Sequence, residues 1–148
     1  MMLSITQFKS PIGKLKLTAS EKGLMSIEFA GTTKHDSSLI LSLVIDELTL
    51  YFQGKLLNFK VPLDIKGTDF QKKCWKELQK IKYGQTISYK EQALFIGGAN
   101  YARAVAGANN KNKIPIIIPC HRVIGSNGNL VGYAGGLVKK KFLLDLEK

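Results

Sequence analysis

Apolar and polar residues alternate along the first thirty positions of the chain. Leu3-Ser4-Ile5-Thr6, Lys14-Leu15-Lys16-Leu17 and Met25-Ser26-Ile27-Glu28-Phe29 each repeat every second residue, the period of a half-buried strand. Pro11-Ile12-Gly13 and Glu21-Lys22-Gly23 supply turn chemistry between them, so the pattern predicts a three-strand meander. A polar loop carrying His35 follows, and then the period lengthens. Apolar residues at 40, 41, 44, 48, 51 and 52 predict one face of a helix, capped by Ser37 or Ser38 and stopped by Gly54. Leu56–Pro62 reads as an extended segment with Pro62 near its end. No polar constellation in this half points to chemistry.

The second half is patterned for helices. Thr68-Asp69-Phe70-Gln71 has the form of a capping box, and Phe70, Cys74, Leu78 and Ile81 then recur on one helix face with Trp75 beside them. Cys74 therefore reads as a core residue. Tyr83-Gly84-Gln85 ends that helix. Ser88-Tyr89-Lys90-Glu91 is a second capping box, opening a short helix that stops at Gly97-Gly98, and another helix runs from about Asn100 to Asn109. Two short helices joined by a glycine turn form a helix-turn-helix pattern. The second of them sets Arg103 among Ala99, Ala102, Ala104, Ala106, Gly107 and Ala108. That is a smooth helix with one long cation, suited to a narrow groove. Gly125-Ser126-Asn127-Gly128 through Gly132-Tyr133-Ala134-Gly135-Gly136 is a glycine-rich loop, read as a wall where backbone approaches a flat ligand. An amphipathic helix, residues 137–147, closes the chain.

Composition changes this picture in two ways. With 45% apolar and 22% charged residues among 148, the chain is expected to fold into one compact domain or two small ones. No apolar run is long enough to span a bilayer, and the N-terminus lacks the form of a signal peptide. Two cysteines make neither a disulfide framework nor a metal-binding spacing, which favours a reducing, cytoplasmic location. The charge is uneven. Residues 1–65 carry seven lysines against six acids, for a net +1, whereas 66–148 carry fifteen Lys and Arg against five acids, for +10. An excess confined to one half is the footprint of a polyanion partner, above all nucleic acid.

The candidate chemistry lies in Pro119-Cys120-His121-Arg122, directly after the apolar run Ile114-Pro115-Ile116-Ile117-Ile118. Only a thiolate is strongly nucleophilic, and neighbouring cationic or basic groups lower a cysteine's pKa or take its proton. A thiol beside an imidazole and a guanidinium therefore reads as a built nucleophile.

Together these pieces resemble one family, the O6-alkylguanine-DNA alkyltransferases, or methylated-DNA–protein-cysteine methyltransferases. The matching residues are Leu50-Tyr51-Phe52-x-Gly54, Val61-Pro62-Leu63-Asp64, Asp69-Phe70-Gln71 with Trp75, and Tyr83-Gly84-x-Thr86-Ile87-Ser88-Tyr89. They continue through Ala102-Arg103-Ala104-Val105, residues 116–124 around the Pro-Cys-His-Arg motif, Gly132-Tyr133-Ala134-Gly135-Gly136-Leu137, Lys140, Leu143-Leu144 and Glu147. The resemblance implies an α/β protein whose residues 1–65 form a ribonuclease-H-like roll and whose residues 66–148 form a winged helix-turn-helix. It implies DNA repair by direct reversal: a monomer binds double-stranded DNA through the minor groove and flips out an alkylated guanine. The alkyl group then passes irreversibly to Cys120, once per molecule and without a cofactor. His121 would act as base through a water, Glu147 would orient the imidazole, and Asn112 would brace the active-site turn. Tyr89 would contact the DNA backbone and protonate the leaving base. Arg103 would fill the emptied stack, with Ala102, Arg122 and Ser126 also at the DNA. Val123, Tyr133, Ala134 and Gly135 would form the base pocket, the Val123 carbonyl and the Ala134 N–H reading the guanine edge.

Some members carry a Cys/His zinc cluster in the N-terminal half; its residues are missing here, and no structural metal is expected. Asn109 stands where the family often has an apolar residue, which would alter groove packing, and Lys82 and Lys113 replace frequent prolines. The sequence leaves open whether O4-alkylthymine is also taken. Three rivals are a lesion-binding relative without transfer, a winged-helix regulator with a redox thiol, and a Cys–His hydrolase. The first lacks the acceptor cysteine present here. The second does not account for Tyr89 and Glu147, and the third does not account for the basic half.

Overall fold

Alternation in the first thirty residues becomes an antiparallel meander. β1 (Ser4–Ser10), β2 (Gly13–Ala19) and β3 (Leu24–Glu28) pair in that order, with Phe8 opposite Leu15 and Leu17 opposite Ile27. The inward positions Leu15, Leu17, Ala19, Leu24 and Ile27 are buried. Helix α1 (Leu39–Phe52) packs on this sheet through Leu41, Val44, Leu48 and Tyr51, and each such buried side chain contributes roughly 1.5–3 kcal/mol. Ser38 caps it by accepting the Leu41 N–H at 3.1 Å. Gly54 follows its C-terminus at φ +72°, the left-handed conformation that glycine adopts without strain. The structure, a computed structural model, describes residues 2–148, and this first unit runs through Lys66.

The extended segment expected at 56–62 is not a strand. Its amides at Lys60 and Val61 donate to the Glu47 carboxylate at 2.9–3.0 Å, so a side chain on α1 takes the bonds that a strand neighbour would need. Pairing resumes only as a single parallel bridge between Leu24 and Leu63.

The second unit, Gly67–Lys148, is a winged helix-turn-helix. Both predicted capping boxes form: Thr68 with Gln71 opens α2 (Asp69–Leu78), and Ser88 with Glu91 opens α3 (Tyr89–Ile96). A single 3-10 turn at Ala99–Tyr101 leads into α4 (Ala102–Asn110). α2, α3 and α4 pack on one another, and the buried Val105 and Ala108 let α4 sit close enough for the Trp75 indole to donate to the Ala108 carbonyl at 2.9 Å. Asn109 corrects an expectation. It faces the interior rather than a groove, exchanging two amide hydrogen bonds with the fully buried Gln92 at 2.8 and 3.1 Å. A polar residue is tolerated there because its partner is polar too.

Two short strands, β4 (Ile87–Ser88) and β5 (Val123–Ile124), pair in parallel and bring the start of α3 beside the segment that follows Cys120. The loop 125–136 forms the wing, and α5 (Leu137–Leu146) packs back on the 3-10 turn of residues 120–122. Among the described residues, no helix is long and apolar enough to cross a membrane.

Candidate active site

The apolar run before Cys120 is a tight, buried turn. Ile118 N–H donates to the Ile114 carbonyl at 2.9 Å, and Ile116 between them sits at φ +77°. A β-branched residue in that region is a true outlier, costing on the order of 1–3 kcal/mol, and persists only where surroundings enforce it. Asn112 supplies the enforcement: its side chain accepts the Ile114 N–H at 3.0 Å and donates to the Ile118 carbonyl at 2.7 Å. Pro119, at φ −82° and ψ 65°, then forms an inverse γ-turn closed by the Cys120 N–H on the Ile118 carbonyl at 2.8 Å. These successive turns deliver Cys120, His121 and Arg122 on one 3-10 turn.

Cys120 is a resting thiol, not a standing thiolate. Burial pushes its pKa up to about 11, against the opposing pull of an Asn112 hydrogen bond, the Lys140 charge and a backbone hydrogen bond. The adjacent guanidinium does not activate it, which corrects the simplest reading of the Cys-His-Arg sequence. Arg122 turns away and is itself buried, 6% exposed. Its Nε and Nη2 donate to Glu147 at 2.8 and 3.0 Å, its Nη1 donates to the Ile81 carbonyl at 2.7 Å, and it lies over the Tyr83 ring. Arg122 is thus an internal strut, and its expected place at the DNA is overturned because all its strong bonds point inward.

His121 is fully buried, and its Nε2 lies 2.7 Å from Glu147 Oε2. A carboxylate only accepts, so Nε2 carries the proton, and a neutral ring then leaves Nδ1 as its acceptor. Nδ1 has no hydrogen-bond partner among the described residues. Burial lowers the imidazole's pKa and outweighs the Glu147 hydrogen bond and charge, which raise it. Glu147 caps the C-terminus of α5, where a carboxylate meets the unfavourable end of the helix dipole; the Arg122 fork offsets this. Tyr83 anchors the same end, donating to the Leu146 carbonyl at 3.2 Å.

The lowered His121 pKa sets an acid limb for stability. The unfolded chain takes up a proton near the ordinary 6.5 that the folded chain refuses, so stability falls as pH drops below that value toward the folded pKa. One proton gives a slope of at most about 1.4 kcal/mol per pH unit. Urea unfolding from pH 7.5 to 5 is expected to show this slope in the wild type and to lose it in His121→Gln; an equal slope in both would refute the assignment.

Tyr89 begins α3, and its hydroxyl reaches the wing, donating to the Val131 carbonyl at 3.0 Å with Gly132 at 3.4 Å. Burial raises its pKa, and so does the negative charge that Cys120 carries once ionised, which places the phenol within electrostatic reach of the sulfur. Tyr133 is raised well above its ordinary value, first by burial and then by Cys120 and Glu147, so it too belongs to this cluster. Val123 is buried at the start of β5, Gly135 is half-buried and Ala134 is exposed. Ala102 is half-buried, while Arg103 on α4 and Ser126 in the wing are exposed and stand outside the buried cluster. Sequence reasoning assigned no role to Lys140, which is fully buried and donates to three carbonyls of the site. Helical spacing carried the signal: Lys140, Leu143 and Glu147 follow one another by three and four residues, a single inward face.

Fold and site define a two-domain α/β protein with a winged helix-turn-helix and a buried thiol next in sequence to a hydrogen-bonded His–Glu–Arg chain. Sequence profiles described as 6-O-methylguanine DNA methyltransferase match it in two parts, the ribonuclease-like domain over residues 3–65 and the DNA binding domain over 69–148. The chain belongs to the 6-O-methylguanine DNA methyltransferase family. It is 47% identical to the methylated-DNA–protein-cysteine methyltransferase of Methanosarcina barkeri over 95% of this chain and 94% of that protein. The enzyme of the same description from Mycobacterium tuberculosis is 44% identical over 99% and 93%. Among solved structures, the M. tuberculosis OGT in complex with DNA superposes with a TM-score of 0.90 at 44% identity, covering 97% of this chain and 92% of that one. The Methanococcus jannaschii O6-methylguanine DNA methyltransferase gives 0.69 at 27% identity, with the same coverages.

Proposed function

We propose that this protein repairs O6-alkylguanine in duplex DNA by moving the alkyl group to the sulfur of Cys120, one transfer per molecule. The observation that carries this reading is the buried Cys120–His121–Glu147–Arg122 sequence of groups. A thiol with a pKa near 11 needs a base at the moment of attack, and a neutral imidazole with Nε2 tied to Glu147 and Nδ1 free to accept supplies one.

The step balances simply. The thiol proton passes, through a water, to His121 Nδ1. The sulfur attacks the alkyl carbon, an S–C bond forms, and the C–O6 bond breaks with its electron pair leaving on the guanine. Tyr89 protonates the departing base at N3, and the proton held by His121 returns through solvent to the phenolate, so both groups end as they began. The thioether has no route back to a thiol, so the protein is consumed.

Duplex DNA is the partner, met in its minor groove by a monomer of this chain. The net charge of +10 on residues 66–148 supports binding to a polyanion. The exposed Arg103 on an alanine-rich helix supports extrusion of the damaged base, because an inserted side chain replaces the stacking that the base gives up. Arg103→Ala is expected to slow transfer from O6-methylguanine in duplex DNA by about 10- to 100-fold, since extrusion costs a few kcal/mol. The rate from free O6-methylguanine, which needs no extrusion, falls far less. Equal losses on both substrates would sink the role given to Arg103.

A further inference from the structure

Lys140 is a charge in a place where charges are rarely left. It is fully buried on α5, and its ammonium spends its three protons on three backbone carbonyls: Val123 at 2.6 Å, Val131 at 2.9 Å and Gly132 at 3.2 Å. Val123 begins β5, one side of the base pocket; Val131 and Gly132 belong to the wing, the other side. The Tyr89 ring lies 5.7 Å from the same ammonium, and the Tyr89 hydroxyl donates to the very wing carbonyls that Lys140 holds. Two donors thus share one pair of acceptors. Burial lowers the Lys140 pKa to about 8, with the Cys120 charge opposing, so holding a cation here has a real cost that the three bonds must offset.

The shared acceptors matter because of what the reaction asks of Tyr89. A phenol that protonates the leaving guanine cannot at the same time donate to Val131. If it were the wing's sole tether, the wing would be released as the base enters.

We propose that Lys140 is a positioning residue for alkyl transfer, a clasp joining β5 to the wing that keeps both walls of the pocket in place while Tyr89 gives up its wing hydrogen bond to the substrate. The inference rests on the transfer reaction proposed above for its consequence, but the clasp itself is a property of the free protein. It acts through the pocket backbone and touches no reacting atom.

Amide hydrogen exchange at Gly125 and Gly136, whose N–H groups bond within the wing, reads the clasp directly. Tyr89→Phe is expected to leave those rates within about twofold of wild type, because Lys140 still holds Val131 and Gly132. Lys140→Met, close in shape but without donors, is expected to speed them at least about tenfold while α2 and α4 amides stay protected. It is also expected to slow methyl transfer at saturating duplex by about 10- to 100-fold, the scale of a small misplacement at a reacting centre. Lys140→Gln, which keeps two N–H groups, falls between. A wing that opens in Tyr89→Phe as far as in Lys140→Met overturns the clasp, as does a Lys140→Met protein with wild-type exchange and transfer. Should Lys140→Met not fold, the Tyr89→Phe exchange decides alone: an unchanged wing supports the clasp and an opened one refutes it. A wild type that transfers no methyl group would sink the proposed function while leaving the exchange comparison to decide the clasp.

Discussion

Glu147→Leu is expected to lose about 3–5 kcal/mol of stability and nearly all transfer activity, because it breaks a buried ion pair by removing one partner. Glu147 accepts from Arg122 twice and from His121 once, all at 3.0 Å or less, and all three side chains are buried. Without the carboxylate, a guanidinium that is 6% exposed keeps its charge and loses its counter-charge. The imidazole loses the acceptor that fixes its tautomer and with it the reason for Nδ1 to be the accepting nitrogen. Glu147→Gln separates the two effects. It retains the shape and one oxygen acceptor, so it is expected to fold with a smaller loss but still to slow transfer, because a neutral amide stabilises the imidazolium less than a carboxylate does. Urea unfolding and single-turnover transfer rates check both variants. A Glu147→Leu protein within about 1 kcal/mol of wild type would contradict the account, since a buried pair broken on one side cannot be that cheap.

Asn112→Ala is expected to be almost as damaging by a different route. The Ile114–Ile118 turn contains a strained Ile116, and Asn112 closes it at both ends. Alanine leaves the buried Ile114 N–H without a partner, roughly 1–3 kcal/mol, and takes one hydrogen bond, about 1 kcal/mol, from the Ile118 carbonyl, which keeps the Cys120 N–H; the expected loss is about 2–4 kcal/mol. It also removes a hydrogen bond that favours the Cys120 thiolate. Thiol reactivity toward iodoacetamide at pH 8 should therefore fall along with stability. Asn112→Asp keeps the acceptor for Ile114 but cannot donate to Ile118, and it is expected to recover part of the lost stability. An alanine variant with wild-type stability and thiol reactivity would show that the turn holds itself.

Local rules carried much of the fold. The strand meander, the helix ended by Gly54 and both capping boxes are short-range features, each decided by residues within one turn of each other, and the structure forms all of them. The errors share a physical cause, which is that a distant group decided the outcome. Residues 56–62 look extended, but Glu47, more than ten positions away, takes their amides. Arg122 looks like a surface cation until the end of α5 brings a carboxylate to it. Asn109 looks like a groove residue until Gln92 supplies a matching amide. Lys140 gives no local sign of its role, because the carbonyls of Val123, Val131 and Gly132 that hold it meet it only in the fold, although its spacing to Leu143 and Glu147 was available. At the site, the acceptor motif was legible as chemistry, whereas the pairing of Glu147 with His121 came only from resemblance until the fold placed α5.

Intact-protein and peptide mass spectrometry, after mixing the protein with excess duplex carrying one O6-methylguanine, reads the alkyl transfer itself. One methyl group per protein is expected, found on the Cys120 peptide, absent from Cys120→Ser, and never exceeding one however long the incubation. Unmodified Cys120 in a protein that nonetheless binds the damaged duplex would contradict it and leave a lesion-binding protein in its place.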